Sequence, residues 1–148
     1  MTSVSDTTGA TEVSLQLRWG DMDVNNHVNN VQFARLFEEA RVRAVSGWIR
    51  DGYGAVAIHV ARQEIEFVRP LLYTPEPVTA QVWVSRLGGA SFDFGSSLAD
   101  AEGKVVALCE TTAVAVHSET GKVLQISDEM RVFLKSKSGD PVPLRSRS

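Results

Sequence analysis

The chain has 148 residues, 43% of them apolar and 22% charged, with a net charge of −3, which fits one domain with a real core and leaves no basic stripe for nucleic acid. Its single cysteine, Cys109, excludes an internal disulfide and so a disulfide-stapled secreted scaffold. No apolar run is long enough to span a membrane, and the opening residues lack the basic and apolar regions of a signal peptide, so a cytoplasmic protein bound to neither nucleic acid nor membrane is expected.

Residues 1–11 are small and polar and are expected to be a disordered leader. A folded domain over 12–135 follows, then a polar tail over 136–148 expected to be flexible. "EVSLQLRW" alternates, with Val13, Leu15 and Leu17 on one face, and predicts a half-buried strand. A polar loop, Gly20 to Asn30, comes next. "VQFARLFEEARVRAVSGWIRDG" is the clearest helix, because Phe33, Phe37, Ala40, Ala44 and Trp48 recur at spacings of three and four, with Leu36 and Val45 widening the stripe. Glu39 and Arg43 form an i,i+4 pair in the favourable order. Asn29 or Asn30 supplies the N-cap, and Gln32 stands at the capping-box spacing from Asn29. Gly47 or Gly52 ends the helix, with Arg50 in its last turn.

Four longer strands follow. In "AVAIHVARQEIEFVRP" the inward positions change from even to odd numbers near Ala61–Gln63, which predicts a bulge, and Pro70 ends the strand. "PVTAQVWVSRL" puts Val78, Ala80, Val82 and Val84 on one face, and Gly88-Gly89 is a hairpin turn. "ASFDFGSSLAD" presents Phe92, Phe94 and Leu98. "KVVALCETTAVAVHS" is apolar on both faces early on, as a central strand is. "KVLQI" adds a short strand, and "SDEMRVFLKS" a short amphipathic helix capped by Ser127. The order of one strand, one long helix and then antiparallel strands is α+β. One helix covers one sheet face only, so a sheet edge or the other face needs cover, most simply from a second copy.

The segment Arg18 to Asn30, "RWGDMDVNNHVNN", gathers two aspartates, four asparagines and a histidine directly before the helix. Its plain reading is a polar turn with a cap. Its chemical reading rests on the helix start, whose free N–H groups can hold a developing oxyanion. A carboxylate beside them can activate water or attack a carbonyl, and a histidine four residues on can bond the carboxylate or shuttle a proton. Glu38, in the first turns of the helix, is a solvated charge or points into a cleft with Asp23. Rival chemistries lack their motifs: no G-x-S-x-G elbow, no H-E-x-x-H and no P-loop is present. His27, His59 and His117 are far apart in sequence, so no metal site is expected. His59 and His117 fall in strand patterns and read as structural. Cys109 reads as a buried thiol.

"RWGDMDVNNHVNNVQFARLFEEAR" resembles the signature of hotdog-fold thioesterases of the 4-hydroxybenzoyl-CoA thioesterase-like group, and the element order agrees. The resemblance implies a hotdog fold: one long central helix wrapped by an antiparallel five- to six-stranded sheet, with dimers formed through the sheet and acyl-CoA in a cleft at the dimer interface. The second acid of the family's G-D-x-D pattern falls on Asp23. "DVNNHVNN" is also similar to the D-x-N-x-H-x-N-N stretch of plant acyl-ACP thioesterases, which implies roles for Asp23, Asn25 and His27. Where many relatives carry a tyrosine this chain has Phe33.

The implied reaction is hydrolysis of an acyl thioester. Asp23 acts as general base or nucleophile, Asn25 and His27 position the thioester or the water, and helix-start N–H groups near Asn30 polarise the carbonyl. Asn29, Asn30, Phe33 and Glu38 are the expected substrate-binding residues, with Phe37, Ile65 and Phe67 as further pocket candidates. CoA or ACP enters only as the carrier part of the substrate, so no cofactor is expected, and the assembly is a homodimer or a dimer of dimers. Two other readings of the fold exist. A hotdog 2-enoyl-CoA hydratase uses D-x-N-P-x-H, but here Asp23 and His27 are four apart and no proline follows Asn25. A non-catalytic acyl-CoA-binding protein would share the cleft without turnover.

Overall fold

The computed structural model describes residues 9–49 and 56–147. Five strands, β1 (Thr11–Leu15), β2 (Val56–Phe67), β3 (Val78–Leu87), β4 (Ser91–Ala99) and β5 (Val105–His117), pair antiparallel in the order β1-β3-β4-β5-β2. The long helix α1 (Asn30–Ile49) packs on one face of this sheet, and a shorter helix, α2 (Asp128–Ser136), follows β5. This is the hotdog arrangement. The expectations for the leader up to residue 8, for Arg50 and for Gly52 lie outside the described residues.

The core is the meeting of two periodicities. From α1 come Phe33, Leu36, Phe37, Ala40, Ala44 and Trp48, and from the inner sheet face Val78, Ala80, Val82, Val84, Phe92, Phe94 and Leu98, all buried. Each large side chain among them contributes about 1.5–3 kcal/mol by leaving water. Trp48 Nε1 donates to Thr11 Oγ1 at 3.1 Å, which pins the far end of α1 to the start of β1. Gly47 does not end the helix; α1 continues through it to Ile49.

The helix sits over β1, β3 and β4. The inner face of β2 is therefore less covered: Ile58 and Ile65 are half-buried and Val60 is exposed. The predicted bulge is present, because Val60 pairs with Ala113 and Arg62 with Thr112, leaving Ala61 without an opposite number. That extra residue moves the inward positions from even to odd. β5 is interior to the sheet, and its Cys109 is buried and sits 3.6 Å from Thr111 Oγ1. Burial pushes the Cys109 thiol up to about 11, so it carries little thiolate at neutral pH.

Turn chemistry follows expectation. The Gly88 N–H donates to Ser91 O at 2.8 Å between β3 and β4. Between β4 and β5, Asp100 Oδ1 accepts from the N–H groups of Glu102 and Lys104, while Gly103 takes φ +86°. Ser127 caps α2 by accepting from Met130 N at 3.1 Å. The short strand expected at "KVLQI" is reduced to one bridge, Val116 to Val123, because beyond Leu124 the chain turns to Gly89, whose carbonyl takes the Ile126 N–H.

The outer sheet face is covered by the chain itself. Residues 137–147, expected as a flexible tail, run along it. The Val84 N–H donates to Lys137 O at 2.7 Å and the Gly139 N–H to Val84 O at 3.0 Å, a parallel bridge to β3 just beyond its last pair with β1, Thr11 to Val82. Val142 and Leu144 are buried against Trp83 and Leu108, and Trp83 Nε1 donates to Asp140 O at 2.8 Å. The polar composition hid two apolar residues, Val142 and Leu144, at the alternate spacing of an extended chain. Trp83 fits because its neighbour on β4 is Gly95: a Cβ there would lie 2.5 Å from the Trp83 ring. Gly95→Ala is expected to lower stability by about 1–3 kcal/mol through overpacking, measured as a shift in the urea unfolding midpoint.

Candidate active site

The site is built on the loop that joins β1 to α1, and that loop is organised by a buried carboxylate. Asp21 is fully buried. Its Oδ2 accepts from the Arg18 N–H and from Arg35 Nη2, each at 2.8 Å, and its Oδ1 from Arg18 Nε at 3.1 Å and Nη2 at 2.9 Å. Burial alone raises the pKa of such a group, but the bonds from Arg18 and the charge of Arg35 outweigh it and hold Asp21 below its ordinary value of 3.8. Arg35 also reaches Gln32 and Glu39, and Glu39 reaches Arg43 at 3.4 Å, the expected helical pair. A charge network thus runs from the loop along two turns of α1.

Between Asp21 and Asn29 the chain makes a tight excursion. Asp21 O accepts from the Asn29 N–H at 2.8 Å, and Met22 bridges to Val28. At the tip, Asp23 Oδ1 accepts from the N–H groups of Asn25 at 2.8 Å and His27 at 3.1 Å. The Asp23 N–H donates to His27 O at 2.7 Å. Asn26 takes φ 61°, a left-handed conformation that asparagine tolerates better than most residues. His27 and Val28 are tied in turn to Leu72 and Leu71, beyond β2. Asp23 is thereby braced by backbone, with its second oxygen outside this set of bonds.

Asn29 is the N-cap: its Oδ1 accepts from the Val31 N–H at 3.0 Å. The expected capping box does not close, because the Asn29 N–H is taken by Asp21 O and the Gln32 side chain turns to Arg18 and Arg35. Val31 N–H goes to the Asn29 side chain, and the N–H groups of Gln32 and Phe33 go to Asn29 O. The Asn30 N–H, at the first helical position, has no acceptor within the helix.

Asp23, His27 and Asn30 share a cleft of about 290 Å³, walled by Val28, Phe33, Phe67, Val68, Arg69 and Pro70. Phe33 and Phe67 meet edge to face, 5.3 Å between centroids, and make its apolar side. The structure thus brings together Asp23, His27, Asn30, Phe33 and Phe67 of the residues named from sequence. It does not bring in the others. Asn25 and Asn29 are exposed and off the cleft wall, Asn25 serving through its backbone N–H and Asn29 as the cap. Glu38 is exposed on α1, two turns beyond Asn30, where its charge acts on Arg41 and not in the cleft with Asp23. Phe37 is wholly in the core, and Ile65 is not a cleft residue. Arg69, also on the cleft wall, was missed, because no local pattern singles out an arginine just past the end of β2. Among the described residues no cluster of His, Cys, Asp or Glu could hold a metal ion, and no helix is long and apolar enough to cross a membrane.

The family model of the thioesterase-like superfamily matches residues 17–134. The chain belongs to that superfamily. The general activity this membership carries is thioester hydrolysis. No curated protein matches the chain in sequence. Solved thioesterases share its fold. A predicted thioesterase from Bacillus stearothermophilus superposes with a TM-score of 0.76 at 22% identity, over 89% of this chain and 98% of its own. A thioesterase from Thermus thermophilus, complexed with coenzyme A and Zn, gives 0.71 at 26%, over 88% and 95%. Slr0204 from Synechocystis, a 1,4-dihydroxy-2-naphthoyl-CoA thioesterase, gives 0.69 at 16%, over 85% and 96%. In this thioesterase-like chain the matched region begins at the last inward residue before the site loop and ends with the last buried residue of α2.

Asp21→Asn removes the charge that both arginines bind. At pH 7 it is expected to cost about 2–3 kcal/mol, less than a wholly buried pair because the guanidinium of Arg18 is largely exposed. A depressed carboxylate pKa stabilises the fold above the unfolded value and loses that effect as pH falls through the folded one. The gap in unfolding midpoint between wild type and Asp21→Asn is therefore expected to be full at pH 5–7 and to close below about pH 3, followed by denaturant titration across that range.

Proposed function

We propose that the protein hydrolyses an acyl-CoA thioester to the free acid and CoA, with Asp23 as the reacting carboxylate. The observation that carries this is the pairing of a backbone-braced Asp23 with Asn30, the first residue of α1, in one cleft. The thioester carbonyl oxygen would rest at the start of α1, where the helix dipole favours negative charge. Asp23 would either take a proton from the attacking water or add to the carbonyl carbon itself. The two N–H donors on Oδ1 keep its other oxygen aimed in both cases. His27, on the same wall, would position water or thioester. Phe33 and Phe67 would take the acyl group. Val28, Val68 and Pro70 add further apolar wall beside Arg69, which suits an uncharged chain or ring.

The same reading includes a second copy of the chain. β2 is an edge strand, and Val60 and Phe67 on it are 47% and 46% exposed. Phe67 also lines the cleft, so a copy paired along β2 would cover this edge and complete the cleft wall. The outer face, by contrast, carries residues 137–147.

Asp23→Asn is the direct test. Its side-chain oxygen can still accept from Asn25 and His27, so the loop is expected to keep its shape and the unfolding midpoint to stay within about 0.5 kcal/mol of wild type. Thiol release from acyl-CoA is expected to lose about 10²–10⁴ in kcat. Binding of acyl-CoA without turnover by the wild type would make the protein a carrier and overturn the reading. Faster release from acyl-ACP would move the carrier assignment only.

A further inference from the structure

Arg69 stands apart from the other arginines of the site. Arg18 and Arg35 are held by Asp21, and Arg43 by Glu39 and Ser14 O. Arg69 lines the cleft with Asp23, yet it makes no ion pair and no side-chain hydrogen bond with any described residue. Its Nε is enclosed without an acceptor. Its backbone is fixed by the bond from its N–H to Val106 O at 3.2 Å, beside that of Val68 at 2.8 Å, and Pro70 restricts it from the other side. A cation and a carboxylate thus share one cleft without neutralising each other. One Asp23 oxygen is held at the loop tip by the N–H groups of Asn25 and His27.

We propose that Arg69 is a catalytic residue, holding together with the Asn30 N–H the oxyanion formed on the thioester carbonyl. This rests on the hydrolase reading above. Whether water or Asp23 adds to the carbonyl carbon, the new C–O bond forms as the C=O π pair moves onto oxygen. That oxygen gains a full negative charge in a cleft whose remaining wall is largely apolar. When the intermediate collapses the pair returns and the C–S bond breaks: on the water route the thiolate leaves with the proton Asp23 had taken, and on the Asp23 route it leaves as thiolate and water then opens the acyl-aspartyl anhydride to release the acid and restore the carboxylate. Arg69 stays protonated throughout and supplies only a fixed cation. Donors already in place before charge develops need no rearrangement during the step, which is where such groups have their largest effect. An Arg at this position fits the task better than Lys, since several N–H donors lie in one plane.

The test uses the full-length chain and two substrates with the same uncharged acyl group: an acyl-CoA, and the acyl thioester of N-acetylcysteamine, which lacks phosphates. Arg69→Met is expected to lower kcat about 10²–10³ on both, with KM changed less than about threefold. Arg69→Lys is expected to retain part of the rate. Unfolding midpoints and dimer content of both variants are measured alongside. A higher KM on acyl-CoA alone, with kcat kept, would make Arg69 a contact to the carrier's phosphates and overturn the proposal. Loss of rate in proportion to lost stability or assembly would make it structural and also overturn it. An active wild type with an unimpaired Arg69→Met sinks this assignment alone. A wild type that releases no thiol from any thioester sinks the hydrolase reading and this assignment with it.

Discussion

A carboxylate with no exposure must be paired or it neutralises, and at Asp21 that requirement organises the front of the molecule. Arg18 reaches it from the end of the first strand region and Arg35 from the second turn of α1. Its carbonyl takes the Asn29 N–H. One residue therefore joins the strand, the loop and the helix start, and the nine residues from Asp21 to Asn29 are closed at both ends before Asp23 is considered. The arrangement also removes two cations from circulation. The arginines nearest to Asp23 in sequence are occupied by Asp21, so they do not quench the charge at the loop tip.

The two acids of "GDMD" thus divide between architecture and chemistry, although only Met22 separates them. Chain geometry makes the division: neighbours at i and i+2 in an extended turn share a side, but the 3-10 turn over Trp19–Asp21 rotates Asp21 inward while Asp23 begins the excursion outward. Sequence spacing showed both acids close to a helix start. It did not show that the first would be fully enclosed, because enclosure depends on Arg35, fourteen residues away.

Much of the fold was legible because it rests on local period. The stripe of α1, the alternation of β3 and β4, the Ser127 cap and the slip in β2 at Ala61 are all written in spacings of two, three or four. The errors arose where distant partners decide. Gly47 sits within α1 because the helix still has Trp48 to bury against Thr11. Glu38 is early enough in α1 to have pointed toward Asp23, but the core face of α1 is set by Phe33, Phe37 and Ala40, and that leaves Glu38 in solvent. Of the site, Asp23, His27, Asn30 and Phe33 could be named from one contiguous segment. Phe67 was named as an apolar candidate, whereas Arg69, just past the end of β2, has no local period to announce it.

The C-terminal run over the outer sheet face also bears on where this protein can be cut. The family match ends at residue 134, and a fragment trimmed there would look complete by sequence. It would uncover Trp83 and Leu108 together and leave the Val84 amide without Lys137 O. A bared indole on a flat β-surface, next to an unpaired backbone, invites self-association. Insolubility of such a fragment would then reflect a missing cover, and not an inability of the remaining chain to fold.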